Sequence, residues 1–227
     1  MSLKKYKEKR DFRVSPEPSG KATAKAASER DLLYVIQKHR ASQLHYDFRL
    51  EFNGVLLSWA VPKGPSLDPT VKRLAMQVED HPVDYASFEG VIPEGEYGGG
   101  TVMVWDNGQW IPESDDVAAA LQKGDLKFTL LGKKLRGSWV LVRTRGFGSK
   151  TDKSWLLIKH RDKYSSQKDI VAEEPRSVLS SRLLADIARE NGGDVEKAST
   201  GDPARASNQG MKPKSAKKPG GKKRSSS

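Results

Sequence analysis

Apolar and ionisable residues alternate without a break over Leu44–Phe52, in the order Leu44-His45-Tyr46-Asp47-Phe48-Arg49-Leu50-Glu51-Phe52. This is the period-two pattern of a half-buried β-strand. Successive strand residues point to opposite faces, so His45, Asp47, Arg49 and Glu51 project together while Leu44, Tyr46, Phe48, Leu50 and Phe52 pack behind them. The strand runs into Asn53-Gly54, a strong short-range hairpin signal, and Val55–Val61 forms the return. Residues 32–37 predict a preceding strand, and further strands are predicted at 73–79, 100–105, 126–131, 138–144 and 154–159. A second Asn-Gly, Asn107-Gly108, falls between Trp105 and Trp110 and carries the same hairpin signal.

Helical periodicity is confined to two places. Asp115 or Asp116 caps a short helix through Gln122 that Gly124 ends, and residues 178–189 read as an amphipathic helix stopped by Asn191-Gly192. Six to eight antiparallel strands at short spacing with few short helices make a mainly β fold, either barrel or sandwich. The closed antiparallel β-barrel is preferred, because closure removes exposed edges.

Charge changes the picture at the two ends. The 227 residues carry +11, but residues 1–30 hold nine Lys/Arg against four Asp/Glu and residues 192–227 hold nine against three, while 31–191 are balanced. A neutral folded body, 31–191, with a basic N-terminal arm and a Lys/Gly/Ser-rich C-terminal tail suits a polyanion that runs past the fold. Basic ends that only aid solubility are the alternative. The tail, taken from Gly192 onward, has no apolar periodicity and is expected to be disordered. With 36% hydrophobic residues the chain can bury one core. The charged opening, the lack of a membrane-spanning run and the lack of cysteine point to the cytoplasm, in association with the nucleoid, and away from a membrane.

Chemistry concentrates on the alternating strand. Two of the four histidines lie at His39 and His45, followed at once by Asp47 and Arg49. Two neutral imidazoles and a carboxylate can hold a divalent transition metal with coordination positions left open, so His39, His45 and Asp47 are the candidate ligands. Arg49, roughly 7 Å beyond Asp47 on the same face, is placed to grip an oxyanion. A merely polar outer strand face is the bland alternative. His81 stands where a strand meets Pro82, at an element end rather than in a core. The run Glu94-Gly95-Glu96-Tyr97-Gly98-Gly99-Gly100 lacks the Lys-Ser/Thr ending of a nucleotide-binding loop and reads as a conformationally special turn. Ser58 has no Gly-x-Ser-x-Gly elbow, which excludes the common serine-hydrolase arrangement.

Taken in order, four motifs resemble the 3′-phosphoesterase domain of bacterial ATP-dependent DNA ligase D, which serves non-homologous end joining. They are Gln37 through Glu51, Leu57-Ser58-Trp59-Ala60-Val61-Pro62-Lys63-Gly64, Glu79-Asp80-His81-Pro82-Val83-Asp84-Tyr85, and Phe88 through Gly98 continuing to Val104-Trp105-Asp106. The likeness covers about residues 1–185 and includes Arg10-Asp11-Phe12 and Pro16-Glu17-Pro18. It implies a barrel with a polar central site, and a Mn²⁺-dependent enzyme, other divalent transition metals being compatible. Such an enzyme trims a 3′ ribonucleotide to a 3′-phosphate and then removes the phosphate, acting on DNA or RNA-tipped DNA 3′ ends. By matching positions, His39, His45 and Asp47 are the metal ligands, and Arg49, His81 and Tyr85 are the catalytic groups. Gln37, Lys63, Arg73, Arg10, Asp11 and Glu17 are the substrate-binding residues. Ligase and polymerase domains and end-binding repair proteins are the implied partners.

The chain has no Lys-x-Asp-Gly adenylation motif, so it does not ligate by itself. A stand-alone enzyme and a domain with its linker both fit. Two other readings stay open: a non-haem iron oxygenase using His45, Asp47 and His81, and a non-catalytic nucleic-acid adaptor.

Overall fold

The computed structural model describes residues 2–20, 32–144 and 153–204. Ten strands form one antiparallel sheet: β1 (Leu33–Arg40), β2 (Leu44–Phe52), β3 (Val55–Val61), β4 (Lys72–Gln77), β5 (His81–Pro82), β6 (Gly90–Ile92), β7 (Gly100–Pro112), β8 (Asp125–Gly132), β9 (Arg136–Arg143) and β10 (Ser154–Lys159). The order runs β1-β2-β3-β4-β10-β9-β8-β7, and β7 returns to pair with β1, so eight strands close into a barrel. The short β5 pairs with β3 and β6 with β7, outside the ring. Among the described residues, five short α-helices accompany the sheet, α1 (Lys4–Glu8), α2 (Val117–Lys123), α3 (Ile170–Glu173), α4 (Leu184–Glu190) and α5 (Val195–Ser199), with a 3-10 turn at Val83–Ser87. None of the described helices is long and apolar enough to cross a membrane.

Strand alternation decides what fills the barrel. Tyr46, Phe48 and Leu50 of β2 point inward with Trp59, Trp105, Trp110, Trp139 and Trp155 into one apolar cluster. Each large side chain buried there contributes on the order of 2 kcal/mol. An eight-stranded barrel is only wide enough for its own side chains, and five tryptophans leave no lumen. The polar site expected at the barrel's centre therefore lies on the outer face of β1, β2 and β3. There Tyr6 of α1 and Tyr85, Phe88 and Ile92 of the β5–β6 segment cover it with a second apolar cluster.

The two Asn-Gly pairs behave differently. Asn53 and Gly54 have φ of 50° and 75° and turn β2 into β3, as a two-residue hairpin requires. Asn107-Gly108 makes no turn: neither residue has positive φ, and β7 runs straight through. The glycine instead lets the Leu131–Gly132 backbone of β8 approach closely. Trp105 is the extra residue of a bulge in the β1–β7 register, which bends the long strand around the barrel.

Two expectations near the C-terminus are corrected. The helix predicted over 178–189 is confined to Leu184–Glu190. Ser177 Oγ accepts the Leu179 and Ser180 N–H groups at 3.0 Å each, so a local side-chain turn competes with the first helical turns. The disordered tail expected from residue 192 begins too early, because 192–204 are folded. Asp194 caps α5, Ala198 is buried against α4, and Asp202 accepts the Leu184 and Ala185 N–H groups at 3.2 and 3.0 Å. Asp202 Oδ1 is also 3.5 Å from Lys38 Nζ, with both side chains only 1% exposed. A five-residue helix with one buried alanine is too short to show periodicity in the sequence. The remainder of the tail, residues 21–30 of the N-terminal arm and residue 31 lie outside the described residues.

Candidate active site

Adjacent strands assemble the proposed ligand set. His39 on β1 is directly opposite His45 on β2, their rings 4.8 Å apart, and Asp47 follows two residues on along the same face. One ligand atom from each of the three lies within 4.8 Å of the others. His39 Nδ1 and His45 Nε2 are each 3.7 Å from an Asp47 oxygen, too long for a hydrogen bond. Atoms about 2.1 Å from a shared ion stand at such separations. Each imidazole uses its other nitrogen on a backbone carbonyl: His39 Nε2–H donates to Gly98 O at 2.8 Å, and His45 Nδ1–H donates to Gln43 O at 3.1 Å. Those two bonds fix the tautomers so that both lone pairs face Asp47, as ligation requires. The residues present therefore fit a divalent ion.

Electrostatics supports the same reading. Burial alone would raise the Asp47 carboxyl, but the Arg49 guanidinium and then the two histidines hold it well below the usual carboxylate range. Burial pushes His45 down, yet the Asp47 carboxylate 3.7 Å away leaves its pKa above the ordinary value.

Arg49 sits beside this group with each of its three guanidinium nitrogens hydrogen-bonded and one Nη2 N–H left over. Nε donates to Gln37 Oε1 at 2.9 Å, Nη1 to Ser58 Oγ at 2.8 Å and Nη2 to Asp47 Oδ2 at 3.1 Å. Gln37 is itself fixed, donating to Tyr85 O and Phe88 O at 2.9 and 3.0 Å. His81 lies on the far side of Arg49, its Nδ1 2.9 Å from Arg49 Nη1 and 2.9 Å from Glu79 O, its Nε2 3.3 Å from Arg10 Nη2. Burial first, then the Arg49 and Arg10 guanidiniums, hold the His81 pKa well below its ordinary value, so the imidazole is neutral. Two guanidiniums converge on one neutral imidazole, and because Asp47, Glu17 and Glu79 pair with them the pocket offers an anion N–H donors rather than a net charge.

The N-terminal arm completes this wall. Arg10 Nε donates to Glu17 Oε1 at 2.8 Å, and the Tyr85 hydroxyl donates to the same oxygen at 2.9 Å. The Arg10 guanidinium also lies 4.0 Å from the centre of the Tyr6 ring. The groups enclose a cavity of ≈ 310 Å³ lined by the three candidate ligands, Arg49, His81, Tyr85 and Arg10.

Some residues expected in the site are elsewhere. Gln37 and Glu17 are buried behind Arg49 and Arg10 and hold them in place instead of lining the cavity. Asp11 turns away and pairs with Arg13 at 2.6 Å on the surface. Lys63 is exposed after β3, and Arg73 lies on β4 opposite Leu157; neither lines the cavity. Conversely, Glu79, Tyr97 and Gly98 line it although their residue types alone suggest no role. The glycine run is the local signal for Tyr97 and Gly98, and Glu79 opens the motif that carries His81. Gly98 has φ 81°, a conformation that favours glycine, and it aims its carbonyl at His39.

The oxygenase reading fails on this geometry, because His81 is outside the ligand group and both its nitrogens face guanidiniums.

Comparison with known proteins agrees with the motif order. Residues 37–143 match the DNA Ligase D 3′-phosphoesterase domain. The chain is 55% identical over 185 residues to the multifunctional non-homologous end joining protein LigD of Pseudomonas aeruginosa, covering 80% of this chain and 22% of that protein. It is 44% identical over 146 residues to the Mycobacterium tuberculosis LigD, covering 63% and 18%. For the Mycolicibacterium smegmatis LigD the identity is 38% over 170 residues, covering 73% and 21%. The chain thus spans about a fifth of the length of the curated relatives it matches. Sheet, polar strand face and matched segment coincide, and the barrel of this chain belongs to the DNA ligase D 3′-phosphoesterase domain family.

Proposed function

We propose that this chain is a metal-dependent phosphoesterase that processes 3′ ends, removing a terminal ribonucleotide and then the 3′-phosphate during double-strand break repair by end joining. The observation that carries the reading is the placement of three metal-ligating side chains against a buried arginine and a neutral histidine in one cavity. A nucleic-acid adaptor has no need of two imidazoles whose tautomers are fixed toward a carboxylate.

His39, His45 and Asp47 would hold Mn²⁺, and the two histidines and a single carboxylate equally suit other divalent transition metals. When bound, such an ion supplies Lewis acidity toward a phosphate oxygen and toward the attacking water. Arg49 presents its guanidinium to the phosphate from a fixed frame. Its partners Gln37, Ser58 and Asp47 hold it before substrate arrives, so little reorganisation accompanies charge development. His81 meets the phosphate as a neutral imidazole; an incoming anion offsets the two guanidiniums that add to burial in keeping it deprotonated, and so favours its taking up a proton. Arg10 reaches the same anion from the N-terminal arm, tethered by Glu17. A 3′-hydroxyl made this way is what polymerase and ligase activities of the repair machinery consume.

The test is turnover of two primers, one ending in a 3′-phosphate and one in a single ribonucleotide, with Mn²⁺ and with EDTA. Both are processed with Mn²⁺ and neither with EDTA. Equal rates in EDTA overturn the metal assignment, and no turnover of either primer overturns the enzymatic reading.

A further inference from the structure

Tyr97 is a half-exposed aromatic ring at the mouth of the cavity that would hold the phosphate. It remains 48% exposed yet lines the same cavity as His39, Arg49 and His81. Its position is not loose. The loop that carries it is closed by two backbone bonds, Glu96 N–H to Pro93 O at 3.2 Å and Gly99 N–H to Glu96 O at 3.0 Å. The next residue, Gly98, is bonded to His39. From the other side, Lys9 Nζ donates to the Tyr97 hydroxyl at 3.0 Å and lies 4.2 Å from the ring centre. Arg10 links the ring to the phosphate pocket, with its guanidinium carbon 5.6 Å from the Tyr97 centre and its Nη2 3.3 Å from His81 Nε2. The ring is therefore within one or two nucleotides of the point where the phosphate is held. An exposed aromatic flanked by cations beside a backbone-gripping site is how single nucleic-acid strands are seated, since every base offers a π-face.

We propose that Tyr97 is a stacking platform for the nucleobase of the terminal nucleotide, seating the strand whose 3′-phosphate lies at Arg49 and His81. The proposal rests on the 3′-end reading above and adds a binding subsite to it. The platform recognises a base of any identity, because stacking carries no hydrogen-bond readout. It also joins the base to the metal centre through one residue, since the Tyr97–Gly98 step sets both the ring and the orientation of His39.

The test compares Tyr97→Ala and Tyr97→Phe on a 3′-phosphorylated primer and on the same primer with an abasic terminal nucleotide. Tyr97→Ala raises KM on the base-bearing primer by roughly five- to a hundredfold and carries no KM penalty on the abasic primer. Tyr97→Phe, which keeps the ring and loses the hydroxyl bond to Lys9, behaves as wild type. An equal penalty on both primers, or a Phe variant as impaired as Ala, shows that the residue acts through Lys9 or the loop and overturns the platform. A terminal 2-aminopurine reads stacking without turnover: wild type and Tyr97→Phe quench it, and Tyr97→Ala does not. Lack of quenching by the wild type overturns the platform even where the primer is hydrolysed. Quenching without hydrolysis supports the platform and strikes the enzymatic reading alone.

Discussion

The carbonyl oxygen of Gly98 accepts the Nε2–H of His39 at 2.8 Å, joining the glycine-rich loop to the first strand of the barrel. This bond decides which nitrogen of His39 is free for a metal, and a left-handed glycine with φ 81° delivers it. Gly98→Ala adds a Cβ in ordinary van der Waals range, 3.6 Å from His39 Cε1, but strains the backbone by about 1–2 kcal/mol. The loop relaxes and the carbonyl leaves its partner. Manganese affinity should fall roughly ten- to a hundredfold with a modest drop in Tm. Calorimetric titration with Mn²⁺ checks this, and unchanged affinity would show that the tautomer is set by other means.

Arg49→Lys keeps the charge and loses the fork. Gln37 Oε1 and Ser58 Oγ are each deprived of a buried donor, which costs about 1–3 kcal/mol for each group left unsatisfied. Turnover should fall by about a hundredfold or more, as when one oxyanion donor is deleted, while the three ligand atoms stay in place. Steady-state kinetics beside Mn²⁺ binding separates the two effects. A parallel loss of metal would place Arg49 among the groups that build the metal site.

His81 makes stability depend on acid. Burial, then Arg49 and Arg10, depress its folded pKa below the reference 6.5, so between those two values the unfolded chain binds a proton that the folded chain does not. The contribution is complete above pH 6.5 and is lost as pH falls toward the folded value. His45 has the opposite shift, and its contribution is present below pH 6.5 and lost as pH rises through its folded pKa. Unfolding of the metal-free chain between pH 8 and 5 should therefore show an acid-side loss that His81→Asn diminishes. The His81 ring resonances should not titrate between pH 8 and 6.5. A midpoint near 6.5 in the folded protein would refute the buried, cation-flanked environment.

Where the chain is cut separates folding from DNA capture. Residues 205–227 contain eight Lys/Arg and no Asp/Glu, whereas 192–204 hold Asp202. Truncation after Ala204 should preserve Tm and the chemical step and weaken DNA binding. The slope of log affinity against log salt should fall by roughly 0.7–0.9 for each phosphate that the tail no longer neutralises. Truncation after Asn191 also removes the partner of buried Lys38 and should destabilise the barrel by about 3–5 kcal/mol. Equal Tm for the two truncations would contradict the Lys38–Asp202 latch.

What the sequence determined by itself is local in character. Alternation over Leu44–Phe52 placed Asp47 and Arg49 on one face because the strand period is two. Asn53-Gly54 marked a hairpin because its backbone conformation suits few other residues, and Asp116 with Gly124 bounded α2 for equally local reasons. The ordered motifs identified the family. The tertiary structure decided whatever depends on residues distant in the chain. Five tryptophans fill the lumen, so the polar face looks out of the barrel wall and must be roofed by the N-terminal arm and the β5–β6 segment. The same Asn-Gly pair that turns the chain at residue 53 lies flat at residue 107, because neighbouring β1 and β8 hold it extended. The roles of Gly98, Glu17 and Asp202 rest on hydrogen bonds to partners 59, 68 and 18 residues away. Closing such long loops is worthwhile only once the whole sheet has formed, and that cooperative step leaves no periodic trace along the chain.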